Sequence, residues 1–211
     1  MPAEIPADLV SAPLRMAARV VCKVLGWEYV GGLDRPKVLF LAAPHTSNWD
    51  AFYMLLCAYA IGIRVSWLGK KSLFKPPVFG WWMRQLGGIE VDRSGGLDTV
   101  SATAKVFEGR EALYLGLAPS GTRSRRDHWR SGFYHIARKA DVPLLLGFLD
   151  YKRKRGGCGP IVDLTGNVTE DMDKIRAFYS TVTGHTPANT SDVRLESETD
   201  RPGDGGGAES D

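Results

Sequence analysis

The chain has 211 residues, 44% hydrophobic and 24% charged, which suits one soluble globular domain with a real core and excludes a low-complexity or collagen-like chain. Its three cysteines, Cys22, Cys57 and Cys158, form no Cys-x-x-Cys pair, so neither a disulfide framework nor a metal site is indicated and a reducing compartment fits. The formal charge of +3 is uneven: residues 183–211 hold seven acidic and two basic side chains, a net of −5, so the remainder carries +8 and suits an anionic partner such as phosphate, nucleic acid or a membrane surface.

Residues 1–12 read as an irregular N-terminus without the basic start and apolar core of a secretory signal. A helix is expected from Pro13 to Leu25. Arg15, Arg19 and Lys23 form one stripe on it, and Leu14, Ala18, Val21 and Leu25 the opposite one. The pattern suits a helix in a membrane interface or one packed on the core with its basic side solvated; packing is the expectation. Val38 to Ala42 reads as a buried strand and Ala51 to Ala60 as a helix, with Ser47 or Asn48 as N-cap. The apolar run Ala51–Ile63 is too short to span a bilayer, which takes about 20 residues.

Ile63 to Leu68 reads as the next strand. Pro76 and Pro77 open a helix from Val78 to Leu86, closed by Gly87-Gly88. Its Trp81-Trp82 pair suits a membrane interface or a groove for an apolar chain, but core packing is the expectation. A short strand Ile89–Val91, a helix Leu97–Phe107, a strand Ala112–Leu117, a helix Trp129–Lys139 and a strong strand Val142–Tyr151 follow. Lys152 to Gly159 reads as a turn into a last strand, Ile161–Leu164, and Thr169-Glu170-Asp171 opens a final helix to about Val182. Strands alternating with helices predict an α/β fold, with a central mostly parallel or mixed sheet flanked by helices. The Thr, Ser, Asp, Glu and Gly bias from 183 onward predicts a disordered acidic tail, leaving residues 13–182 as the domain.

Three loops carry candidate chemistry. His45 and Asp50, five positions apart after the Val38 strand, form a candidate base and its orienting carboxylate. Pro119-Ser120-Gly121-Thr122-Arg123 follows the Ala112 strand as a tight turn whose backbone N–H groups and Arg123 suit an anion. Gly88-Ile89-Glu90-Val91-Asp92-Arg93 brings a second arginine, Arg93, to a strand end. Strand ends are where α/β sheets place ligands. Gly69-Lys70-Lys71-Ser72 lacks the first glycine of a P-loop, since Arg64 stands there, and Ser120 lacks a Gly-x-Ser-x-Gly frame.

Taken with Val142-Pro143-Leu144-Leu145, these blocks resemble, in order and spacing over residues 38–150, the glycerophospholipid acyltransferases, which include the 1-acylglycerol-3-phosphate acyltransferases. The resemblance implies transfer of a fatty acyl group from acyl-CoA or acyl-carrier protein to a hydroxyl of a lysophospholipid, lysophosphatidic-acid-like, with His45 and Asp50 catalytic. Arg93, Ser120, Gly121, Thr122 and Arg123 would bind substrate, and no cofactor or metal is implied. It also implies a cytoplasmic protein in peripheral contact with the inner face of the cell membrane. One departure stands out: the family pattern has Glu, associated with binding the acceptor, where this chain has Ser120. That leaves open a different hydroxyl acceptor, or a non-enzymatic lipid-binding protein on the same scaffold. Nucleic acid is set aside, because the basic residues are dispersed and no binding module is present.

Overall fold

The computed structural model describes residues 10–32, 34–91 and 99–198. Seven strands form one sheet: β1 Glu28–Val30, β2 Lys37–Ala43, β3 Ser66–Lys70, β4 Gly88–Val91, β5 Leu113–Leu117, β6 Leu144–Asp150 and β7 Arg155–Val162, in the order β1-β7-β6-β2-β5-β3-β4. All pairings are parallel except β6–β7. The fully apolar runs of β2, β5 and β6 form because a parallel sheet is covered on both faces.

Alternation along β2 assigns the two cores. Leu39 and Leu41 pack with Leu115, Leu144 and Leu146 against Phe133, Ile136, Met172 and Ile175. These belong to α5 Gly132–Ala140 and α6 Val168–Tyr179, with α4 Thr99–Ala104 beside α5. Val38 and Phe40 face the other way, toward α2 Trp49–Ile61, against which α1 Ala12–Leu25 packs. A 3₁₀ turn Lys71–Phe74 and α3 Pro77–Gln85 join this second side, where Phe74 stacks on Trp67 of β3.

Several expectations are corrected. The turn expected over 152–159 is only the tip of a β6–β7 hairpin, and β7 begins at Arg155. Its glycines read as loop, yet they are strand residues with no room for a side chain. A Cβ at Gly156 would lie 2.6 Å from Leu149 Cδ2, and one at Gly159 2.4 Å from Phe178 Cζ. β1 was not anticipated, and the helix expected over 97–107 is α4 followed by a 3₁₀ turn, Lys105–Phe107. α1 docks through Ala18 and Cys22, so Leu14 and Val21 are exposed; Arg19 leaves the expected solvated stripe to donate to the Ala60 carbonyl. Trp81 and Trp82 are not core residues: each is 54% exposed.

The largest correction concerns the chain after Val182. Residues 183–198 are not a disordered tail but a strap across one end of the sheet. Leu195 is buried, Trp129 N–H donates to the Arg194 carbonyl, Asp192 N–H to the Arg126 carbonyl, and Arg125 pairs with Asp192 at 3.3 Å. Backbone pairing with a neighbouring loop holds a segment that its own composition would leave unfolded.

Candidate functional site

β2, β5 and β6 run parallel, with Leu41 beside Leu117 and Ala43 beside Phe148, so their carboxyl ends meet at one edge. The His45 loop, the Ser120 loop and Tyr151 therefore converge from positions far apart in sequence. The following helix starts at Trp49. Asn48 takes the cap position without a side-chain cap bond, and the Ser47 hydroxyl accepts from Trp49 N–H instead.

Asp50 lies in the first turn of α2 and is 3% exposed. Its Oδ2 accepts from Thr46 N–H at 2.7 Å and Ser47 N–H at 2.9 Å, and stands 3.3 Å from His45 Nδ1. Its Oδ1 accepts from the Tyr151 hydroxyl at 2.9 Å. Burial pushes this carboxyl up, but the bonds from His45, Ser47, Thr46 and Tyr151 together outweigh it and hold it below its ordinary value. The Tyr151 phenol is correspondingly pushed up by burial and by its bond to Asp50. An ionised Asp50 fixes the His45 proton on Nδ1 and leaves Nε2 as the basic atom.

His45 borders two clefts. One, of about 750 Å³, is also lined by Thr122, Arg123 and Arg130. The other, of about 400 Å³, is walled by Phe40, Ala42, Met54, Leu55, Val65 and Leu86. A basic cleft and an apolar groove thus meet at one imidazole.

The 118–130 loop is locked by its own bonds. Gly121 N–H donates to the Ala118 carbonyl at 3.0 Å, so it closes the turn and is not the anion donor expected of it. Gly121 has φ +65°, and a Cβ there would lie 3.2 Å from Arg130 Nε, two reasons for glycine. Ser120 is buried and donates to the Thr122 carbonyl at 2.7 Å. It also faces a cavity of about 20 Å³ shared with His45 and Ser191. Arg123 reaches across to donate to Asn48 Oδ1, tying this loop to the His45 loop. Arg93 lies outside the described residues.

Four participants were not anticipated: Tyr151, Asn48, Arg130 and the strap. Thr186 N–H donates to Thr46 Oγ1 at 3.1 Å, and Tyr151 N–H to the Thr183 carbonyl at 2.9 Å, so the strap braces both sides of Asp50. Nothing in the local sequence marks Tyr151, because its role depends on β6 lying beside β2. The three cysteines are buried, and burial pushes the Cys57 and Cys158 thiols to about 12, so neither is a thiolate nucleophile. Among the described residues no group of three or more His, Cys, Asp and Glu side chains is placed to hold a metal ion.

The family profile described as Acyltransferase matches residues 32–145, from before β2 into β6, enclosing the His45 and Ser120 loops. The chain belongs to the Acyltransferase family. Among curated relatives, the 1-acyl-sn-glycerol-3-phosphate acyltransferase of Streptococcus pneumoniae is 31% identical over 107 residues, 50% of this chain and 39% of that one. The enzyme of the same name from Saccharomyces cerevisiae is 29% identical over 130 residues, 58% of this chain and 41% of that one. The chain thus spans less than half the length of these relatives. The crystal structure of the 1-acyl-sn-glycerophosphate (LPA) acyltransferase PlsC from Thermotoga maritima superposes with a TM-score of 0.52 at 17% identity, covering 77% of this chain and 73% of that one. That likeness is one of fold, and the resemblance to the glycerophospholipid acyltransferases stands on the family match and the curated relatives.

Proposed function

We propose that the protein transfers a fatty acyl group from a thioester donor, acyl-CoA or acyl-carrier protein, to a hydroxyl of a phosphate-bearing lysophospholipid at a lipid surface. The observation that carries this reading is the His45–Asp50 pair at the junction of a basic cleft and an apolar groove. The acceptor phosphate would lie against Arg123 and the acyl chain of the donor in the groove.

His45 Nε2 takes the proton of the acceptor hydroxyl as its oxygen attacks the thioester carbonyl. Collapse of the tetrahedral intermediate breaks the C–S bond, and the imidazolium returns the proton to the departing sulfur. Asp50 stabilises the imidazolium between these steps. No acyl-enzyme is needed, since both loops lack an activated Ser or Cys. Among the described residues no helix is long and apolar enough to cross a membrane. The lipid acceptor would be met by peripheral contact with the inner membrane face.

The test is release of free thiol from acyl-CoA or acyl-carrier protein, with lysophosphatidic acid, other lysophospholipids and glycerol phosphate as acceptors. His45→Ala should lower the rate by about 10²–10⁴-fold with an unchanged melting temperature. Wild-type activity in that variant refutes the assignment. Lipid binding without thiol release from any donor makes the protein a lipid binder instead.

A further inference from the structure

Among the described residues, every large hydrophobic side chain that is exposed belongs to α1, α2, the Lys71–Phe74 turn or α3. These elements cover one side of the sheet, while α4, α5 and α6 on the other side expose none. The pattern has a local cause. α3 docks through its smallest residue: Gly80 is buried, and a Cβ there would lie 2.2 Å from the Phe74 carbonyl oxygen. Val78 is left 72% exposed, with Trp81 and Trp82 beside it, their rings edge to face at 5.3 Å. α1 repeats the arrangement, with Ala18 and Cys22 inward and Val24 79% exposed. Both helices invert the ordinary rule that large apolar residues face the core.

The charge on this side is as one-sided. α1 carries Arg15, Arg19 and Lys23, and the 71–85 segment carries Lys71, Lys75 and Arg84. The one carboxylate on α1, α2, the turn or α3 is Asp50, which is buried at the site. The apolar groove runs between α2 and Leu86, just past α3, on this same side. Arg84 is paired with Glu90 of β4 at 3.7 Å, and Glu28 of β1 borders α1. The helices and the turn themselves expose no acid, and aromatic side chains set beside Lys71 and Lys75 match the interface of a bilayer holding anionic lipids.

We infer that the α1–α2–α3 side is the surface by which the protein docks on a membrane containing anionic lipids, with Trp81 and Trp82 as aromatic anchors and Lys71 and Lys75 as headgroup contacts. This rests on the reading that the substrates are lipids, and it explains why an apolar groove opens among exposed apolar helices.

The experiment is co-sedimentation of the full chain with phosphatidylcholine vesicles, with and without phosphatidylglycerol, alongside thiol release with a short-chain acceptor kept monomeric. Wild type should bind the phosphatidylglycerol vesicles more tightly, and less so in high salt. Trp81→Ser/Trp82→Ser should weaken binding by at least about tenfold while keeping its rate on the monomeric acceptor. Lys71→Glu/Lys75→Glu should remove the preference for anionic vesicles, about fivefold per charge lost, and decides the matter if the Trp variant does not fold. Undiminished binding in folded variants overturns the proposal. So does self-association that the Trp substitutions abolish in a protein that ignores vesicles, which would give the surface to a second copy. Vesicle binding as expected without thiol release leaves the docking surface standing and removes the acyl-transfer reading.

Discussion

Tyr151→Phe isolates one hydrogen bond. The ring stays packed edge-on against Trp27 at 5.1 Å, Tyr53 at 5.7 Å and His185 at 4.9 Å, so only the hydroxyl that donates to Asp50 Oδ1 is lost. A hydrogen bond to a charged group is worth about 1.5–3 kcal/mol, and 1 kcal/mol shifts the melting temperature of a domain this size by about 2–4 °C. The variant should therefore melt roughly 3–12 °C lower. If the whole bond also supports the imidazolium, kcat falls by at most about 10- to 150-fold. The acceptor KM should hold, since Tyr151 lines neither cleft. The acid side adds a signed check. Asp50 titrates below its ordinary value in the fold, so its stabilisation is complete above the unfolded pKa of about 3.9 and is lost as pH falls through the lower folded value. Removing the Tyr151 donor raises the folded value, so acid unfolding of the variant begins at higher pH. The assays are thermal melts from neutral to acid pH and steady-state thiol release. A variant with wild-type melting, acid stability and kcat would show that Tyr151 does not support the pair.

Arg123→Lys keeps the charge but loses the planar fork that reaches Asn48; the KM for a phosphate acceptor should rise about tenfold with kcat within a few-fold, and an unchanged KM removes Arg123 from the phosphate site. Met54→Trp narrows the groove; with each buried methylene worth about 0.8 kcal/mol, roughly fourfold, kcat/KM across donors of graded length should shift toward shorter chains, and an unaltered profile means the acyl chain lies elsewhere. Leu195→Ala should cost about 2–5 kcal/mol in denaturant unfolding, because the strap is part of the core; no change would return residues 183–198 to the status of a loose tail.

The features legible in the sequence were those written in contiguous residues. The apolar runs of β2, β5 and β6 announce themselves, and the His45–Asp50 spacing needs only a strand end followed by a helix start. The rest depended on neighbours. The Gly156-Gly157 stretch carries turn composition, yet its place beside Leu149 and Val30 makes glycine a packing requirement within a strand. The strap has few apolar residues of its own and is ordered by bonding to the 118–130 loop, a partner some 65 residues away. Trp81-Trp82 was expected in the core because apolar pairs usually are. Gly80 took the inward position, where only glycine fits against the Phe74 backbone.

Ser120 departs from the family pattern without touching the His45–Asp50 pair. Its hydroxyl is spent inside the loop on the Thr122 carbonyl, so it neither orients His45 nor competes with Asp50 for the imidazole. A carboxylate at this position would border the small cavity that also contacts His45, adding negative charge beside the base. The larger cleft, which Ser120 does not line, has Arg123 and Arg130 on its walls and, among the described residues, no acidic side chain. Under the proposed acyl transfer, these two guanidinium groups would favour an acceptor that brings negative charge, and a phosphate monoester, close to doubly charged at neutral pH, brings more than a phosphodiester. Under that reading Ser120 leaves the base intact, and it is the two arginines of the larger cleft that would select a terminal phosphate.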